Sequence, residues 1–515
     1  MSSLKESEVR TQNVDINSEP EEESKWKRLW QKHKSKLWDT LDKSPEERRV
    51  MFKVDWWILT YACLGYFLKT LDQTNFSNAY ASGMKEDYGF KKNEYNLASA
   101  TMFNIGYIIG QVPSQMVLTR VRYSIWLPTM ELLWRIVCMC IAATPKSQHG
   151  IHVIYALRFL IGLFESTAYA GLIGLLGSWY TPLELGKRAG IFQISSSVSN
   201  MFSGYLQAAL HKGMDGRLGL RSYQWLFIFD GIITIPIALY GYLSIPDSPA
   251  NTKAWWLKPD QKELMRNKIA AAKRAPPKKL TLNSLKALFS SWPAYLFPAC
   301  FICHVSAIRL YSYMNLWLKY KKFSVTKINT LPTAGYGIQI FCTIIMAWTS
   351  DAIHKRYPLI IIFTIISAIG ALILTIWPSN TSAMFAGWYL LFCETGCGIL
   401  FMSWINETLA FSAEQRLVCI GLTQTLAFTF QAWLPLIIYN TGNAPFFGSG
   451  YPVAMSLFLA EGFGSLIIAY IIKKENAGFT WFFSRKYNDL KLVNKEQIKN
   501  DHIIDQDHMD IEQRA

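Results

Sequence analysis

Ala275-Pro276-Pro277-Lys278-Lys279 lies in the widest gap between the apolar segments of this chain, residues 246–292, and that gap carries ten basic residues between Ser244 and Ser290. On either side the sequence falls into very apolar stretches of a common length. They run at about 54–71, 95–117, 125–143, 151–173, 188–210 and 225–245 before the gap, and 293–317, 329–350, 357–377, 383–405, 417–439 and 451–472 after it. A hydrocarbon core about 30 Å thick takes about 20 apolar residues of helix. Soluble helices seldom stay apolar on all faces at this length in series. The expected fold is therefore an all-α membrane protein of twelve transmembrane helices, six on each side of a basic loop.

The organisation expected along the chain is an N-terminal tail (1–53), a six-helix bundle (54–245), the loop (246–292), a second bundle (293–472) and a C-terminal tail (473–515). Two six-helix halves are the plan of the major facilitator superfamily, in which the halves are related by pseudo-symmetry and substrate binds near the membrane midplane. A weak internal echo fits that plan. LTRVRYSIWLP (118–128) after span 2 and SDAIHKRYP (350–358) after span 8 are both short, basic and followed by Pro.

The first residues, MSSLKESEVRTQNVDINSEPEEES, hold no short apolar core with a cleavage site, so no secretory signal peptide is expected. The ends, 1–24 and roughly 490–515, read as disordered. Trp26, Trp30, Leu37 and Leu41 share one helical face between lysines, which is read either as an amphipathic helix on the lipid surface or as a solvated helix. With both ends cytoplasmic, the inner connections hold Arg120, Arg122, Lys187, Arg188, Lys355, Arg356 and Arg416, whereas Lys319, Lys321, Lys322 and Lys327 run against the trend. The net charge of +15 is accounted for by anionic lipid at the inner leaflet rather than by nucleic acid. Asn380-Thr381-Ser382 is a glycosylation sequon, expected to be unused because its loop is short.

Ionisable groups within the spans are costly and are functional candidates by default. Arg158 and Glu165 share span 4 and are seven residues apart, almost two turns, so they face the same way about 10 Å apart along the axis. A fixed cation and a titratable acid on one face suit an organic anion carried with a proton. Asp72, one turn from Asn75, is read either as a second proton carrier or as a residue of the outer interface. Arg309 is read either as a substrate contact or as the partner of an acid such as Glu394 or Glu461. Asp230 and the i,i+4 pair Glu131 and Arg135 are assigned to structure, as are the small residues Ser195, Ser199 and Ser203. Tyr61, Tyr66, Tyr169, Tyr313, Trp317 and Trp404 are candidates to line a cavity. Cys300 and Cys303 form a CxxC, read as packing within an apolar helix rather than metal or redox chemistry, and His304 as a lone packing His. No cofactor or metal is expected. A membrane enzyme would need a nucleophile with a His-Asp arrangement, or a metal cluster at a membrane face, and a nutrient sensor would need a long structured tail; the sequence offers neither.

RFLIGLFES (158–166), GSWYTPLELGKRAGIF (177–192), QWLFIFDGIITIPIALYGYLSIPDSP (224–249), LPTAGYGIQI (331–340) and WINETLAFSAEQR (404–416) resemble the anion:cation symporter branch of the major facilitator superfamily, from about Asp55 to Ile472. LDQTNFSNAYASGMKED (71–87) is similar to the fungal allantoate-permease group, and particularly to its vitamin carriers. The resemblance implies a plasma-membrane, proton-driven importer of a small organic carboxylate, working as a monomer. Pantothenate is the first expectation, with biotin, allantoate, ureidosuccinate and nicotinate as alternatives. It further implies proton coupling at Glu165 and Asp72, with Arg158 tuning the coupling or contacting substrate; from the residues themselves Arg309, Asn75, Gln73 and Tyr169 are the other candidate substrate contacts. Gln73 is the departure, because many members of the family carry Arg immediately after the span 1 Asp. The anion contact must then come from Arg309 or Arg158, or be made by uncharged hydrogen bonds.

Overall fold

The computed structural model describes residues 43–118, 121–249, 251–271, 282–353, 355–409 and 413–479, so the ends expected to be disordered, the Trp26–Leu41 face and the Ala275–Lys279 stretch lie outside the described residues. The chain divides into two compact units, Met1–Val54 and Asp55–Ala515. Within the first, Pro45–Val54 is helical.

The second unit is helical along nearly all its described length, and each of the twelve apolar stretches holds helix. Spans 1 to 6 centre on Thr60–Ala79, Met102–Leu118, Tyr123–Cys140, Gln148–Glu165 with Ala168–Trp179, Pro182–Met214 and Ser222–Ser244. Spans 7 to 12 centre on Pro293–Ile308 with Met314–Tyr320, Val325–Ile353, Tyr357–Ile376, Thr381–Leu390 with Cys397–Thr408, Ala413–Ile438 and Gly450–Asn476. Seven of these segments are long and apolar enough to cross a membrane by length and composition alone. Met102–Leu118, at 17 residues, misses on length, and span 10 is broken into two short pieces.

What the helices turn outward supports a lipid environment. On span 9, Ile362, Ile365, Ile369 and Ile376 are about half exposed or more, on one continuous face. A stripe of isoleucines this long would be costly in water and is at rest in hydrocarbon. Inside the bundle, small residues set how closely helices approach. A Cβ on Gly106 would collide with the Phe159 carbonyl, and one on Gly162 with the Phe103 carbonyl, so spans 2 and 4 pack backbone to backbone. Ser199 Oγ donates to the Phe67 carbonyl at 2.5 Å and Ser203 Oγ to Asn75 Oδ1 at 2.6 Å, which binds span 5 to span 1.

The face that carries the connections 1–2, 7–8 and 11–12 is here called the far face, and the face of the 246–292 connection the near face. Polar ties between the halves cluster toward the far face. Asn96 Nδ2 donates to the carbonyls of Tyr439 (2.7 Å) and Pro435 (3.2 Å), while Tyr313 OH donates to Asn96 Oδ1 at 2.9 Å. Asn315 Nδ2 reaches Asn78 Oδ1 at 3.0 Å, Asn329 Nδ2 reaches Ser82 Oγ at 3.0 Å, and Lys319 pairs with Glu86 at 2.8 Å. At the near face, the helix Pro259–Ala271 of the basic connection is held by Lys268 on Glu184 at 2.6 Å.

Candidate functional site

Asp72 lies within the helix Thr60–Ala79 and is 1% exposed; the helix runs eight residues past the predicted end of span 1, at 71. Its carboxylate pairs with Arg135, whose guanidinium also holds Asp230 at 2.8 Å, and the Cys138 thiol donates to Asp72 Oδ1 at 3.2 Å. Glu131 and Arg135 do not serve each other as an i,i+4 pair. Glu131 accepts instead from Tyr61 OH at 2.7 Å. Asp72, Cys138 and Asp230 bring ligand atoms within 4.8 Å of one another, but the Arg135 guanidinium already occupies that space. Two acids around one buried guanidinium form a tie among spans 1, 3 and 6.

Glu165 stands where span 4 breaks between Glu165 and Ala168. It is fully buried, and span 1 supplies its partners. Gln73 Nε2 donates to Glu165 Oε1 at 2.8 Å, and the ammonium of Lys69 lies 3.8 Å from the same oxygen. Lys69 also donates to Tyr107 OH at 3.3 Å, and its ammonium lies 4.8 Å and 5.8 Å from the ring centres of Tyr107 and Tyr169. The Tyr169 ring packs at a tilt against Tyr66 and Phe192, and Gln193 Nε2 donates to Tyr66 OH at 3.3 Å. Gln73 is exposed even though its amide holds a buried acid. The group is therefore a cation and an acid walled by three tyrosines, with one side open.

Lys69 is absent from the residues singled out in the sequence. The signal was present: a lysine within span 1, one turn before Gln73 on the same face, where the family's expected Arg is missing. Arg158 lies elsewhere. Its Nε donates to the Ala98 carbonyl and its Nη2 to that of Ser99, each at 3.1 Å, and the guanidinium is flanked by the rings of Phe76 and Phe103. It secures the widened helical turn Leu97–Thr101, leaving Nη1 without a partner among the described residues. Asn75 is fully buried on Ser203, away from the open side.

In the second half, the expected pairing of Arg309 with Glu394 or Glu461 does not occur. Arg309 opens a tight turn, Arg309–Tyr313, that interrupts span 7, and it lies against Tyr313 with no ion pair among the described residues. The two acids converge on His304 instead. His304 Nδ1 bonds Glu394 and lies 3.3 Å from Glu461 Oε1, so His304 is not the lone packing His that its position in the sequence suggests. Cys300, by contrast, packs close against Gly464.

A family model described as Major Facilitator Superfamily matches residues 62–426. The pantothenate transporter liz1 of Schizosaccharomyces pombe is 34% identical over 409 residues, covering 78% of this chain and 78% of its own. The pantothenate transporter FEN2 of Saccharomyces cerevisiae is 28% identical over 443 residues, covering 84% and 85%. Among solved structures, a D-xylose-proton symporter superposes with a TM-score of 0.61 at 14% identity, over 80% of this chain and 97% of that one.

Proposed function

Because the chain belongs to the major facilitator superfamily, we propose that it is a proton symporter, not an enzyme, that brings a small organic carboxylate, first of all pantothenate, into the cell across the plasma membrane. The near face is then cytoplasmic, as are both termini. The basic residues Arg122, Lys187, Lys355 and Arg416 stand on that side. Lys319, which ran against the trend, is partly neutralised by Glu86.

One observation carries the mechanism: the ammonium of Lys69 shares Glu165 with the amide of Gln73. Without substrate, the cation and the ionised acid compensate each other's charge. A proton arriving on Glu165 releases Lys69, and a substrate carboxylate can take the acid's place beside the ammonium. The loaded site again has no net charge. Charge balance in a dry cavity thus links one proton to one carboxylate, because either alone would leave an uncompensated charge at a cost of several kcal/mol. Tyr107, Tyr169 and Gln73 supply the surrounding hydrogen bonds and aromatic surface. Arg158 acts one shell away by holding the turn of span 2, and Asp72 holds the half together through Arg135. The polar ties toward the far face leave the near side as the route of release.

The test is uptake of labelled pantothenate, with biotin, allantoate, ureidosuccinate and nicotinate in parallel, in yeast lacking its own carriers, with and without a protonophore. Accumulation that the protonophore abolishes supports substrate and coupling together. Accumulation of a different acid would keep the mechanism and change the substrate, and accumulation of none by a protein present at the surface would refute the proposal.

A further inference from the structure

His304, Glu394 and Glu461 come from spans 7, 10 and 12 and are 2%, 0% and 0% exposed. One ring nitrogen, Nδ1, faces both carboxylates, and a single N–H cannot satisfy two acids. Among the described residues, Glu394 Oε2 and both oxygens of Glu461 have no hydrogen-bond partner. With imidazolium and two carboxylates the cluster carries one net negative charge in a dry interior. Among the described residues, the surrounding titratable groups are Cys300, Cys303 and Tyr311 on span 7, Cys342 on span 8 and Cys393 and Cys397 on span 10, none of them a cation. One added proton, shared between the carboxylates, makes the cluster neutral and gives the unpartnered oxygens a donor.

Two further features set the cluster apart from a static tie. First, it lies at broken helices. Span 10 is interrupted between Leu390 and Cys397, around Glu394, and span 7 tightens at Arg309, just past His304. The neighbour of Glu394, Thr395, lines a small polar cavity between the halves with Gln193, Ser197, Gln339 and Thr343. Second, the halves repeat each other. Lys69 on span 1 faces Glu165 on span 4, and His304 on span 7 faces Glu394 on span 10, the corresponding pair of the second repeat. Span 4 breaks just after its acid, as span 10 does around its own.

We propose that His304, Glu394 and Glu461 form a second exchangeable proton site, so that two protons accompany each carboxylate. The inference rests on the symport reading above. The proton binds a carboxylate oxygen of the Glu394–Glu461 pair from one side of the membrane and leaves to the other, and only O–H bonds form and break. The proton on Glu165 cancels the charge of the substrate. The second leaves one net positive charge moving inward per cycle, so the membrane potential drives uptake as well as the pH gradient.

The full-length carrier in liposomes tests this in two arms. In the first, the infrared carbonyl band of protonated carboxylic acids is followed against pH without substrate. Glu461→Gln and Glu394→Gln should each remove a titrating component, and titrations identical to wild type would overturn the site. In the second, labelled pantothenate uptake is driven by an inside-negative potential without a pH gradient. Wild-type accumulation should rise about tenfold for each 59 mV, as for transfer of one charge. Glu461→Gln leaves a neutral His304–Glu394 pair, so it should accumulate with a pH gradient yet be indifferent to potential. Accumulation in that variant that still follows the potential would refute the second proton. If pantothenate is not carried at all, the substrate reading fails in the second arm while the first still decides the site.

Discussion

Replacing Lys69 by Gln examines the proposed coupling most directly. The ammonium is 3.8 Å from Glu165 Oε1 and is almost fully buried, so little water screens it. A hydrogen bond to a charged partner is worth about 1.5–3 kcal/mol. At about 1.4 kcal/mol per tenfold, its loss should raise the half-saturating concentration of the carboxylate by about 10- to 150-fold. The effect should fall on affinity, with the protein still reaching the membrane, because Gln73 keeps its own bond to Glu165 at 2.8 Å.

The same geometry predicts a rescue. Residue 73 is four positions along the same helix, about 6 Å further along the axis and nearly on the same face. Its side chain already touches Glu165, so a guanidinium there would begin closer to the acid than Lys69 does. Lys69→Gln combined with Gln73→Arg should therefore recover most of the lost affinity, and Gln73→Arg alone, with two cations beside one acid, should weaken the dependence of uptake on pH. Initial rates of labelled uptake over a range of substrate concentrations and pH, normalised to surface protein, measure both. Wild-type half-saturation in Lys69→Gln would refute the role of the lysine. Failure of the double variant to improve on the single would refute the idea that the cation can move one turn along the face.

Glu165→Gln should abolish uphill accumulation while retaining exchange of internal for external substrate; concentrative uptake in that variant would remove Glu165 from proton coupling. Arg135→Met strands Asp72 and Asp230 without their cation, a loss of about 3–5 kcal/mol read as a lower unfolding temperature in detergent. Adding Asp72→Asn and Asp230→Asn should return most of that stability if the three groups act as a tie. Asn96→Ala removes the bonds to Tyr439, Pro435 and Tyr313 that fasten the halves, each worth about 0.5–1.5 kcal/mol. Cysteines placed beside it should then become reactive to an impermeant reagent from outside, and unchanged labelling would show that these bonds do not hold the far side closed.

The twelve spans were legible because hydrocarbon demands apolar residues on every outward face, and a residue such as Ile365 or Ile369 declares itself without reference to any partner. The sites were legible only in part, and the limit is physical. The spacing of Arg158 and Glu165 fixes their shared face but not what meets it: carbonyls at Ala98 and Ser99 take the first, and Gln73 and Lys69 take the second. Lys69 escaped because an apolar count ends span 1 at Leu71, which makes a lysine at 69 look like an interface residue. Asp72, Asn75 and Asn78 lower the hydropathy there, yet the helix continues to Ala79 because the polar face is covered by Arg135, Ser203 and Asn315 rather than by lipid.

The same reasoning explains why the second half withheld its cluster. His304, Glu394 and Glu461 are far apart in sequence, on three different spans, so periodicity within a helix says nothing of their meeting. What does predict it is cost. Three ionisable groups in three membrane helices would each be expensive alone, and convergence is the arrangement that lowers all three at once. Lys69 and Glu165 obey that rule with one cation for one acid. His304 serves two acids, as Arg135 does, and what sets the His304 cluster apart is its place at the breaks of spans 7 and 10.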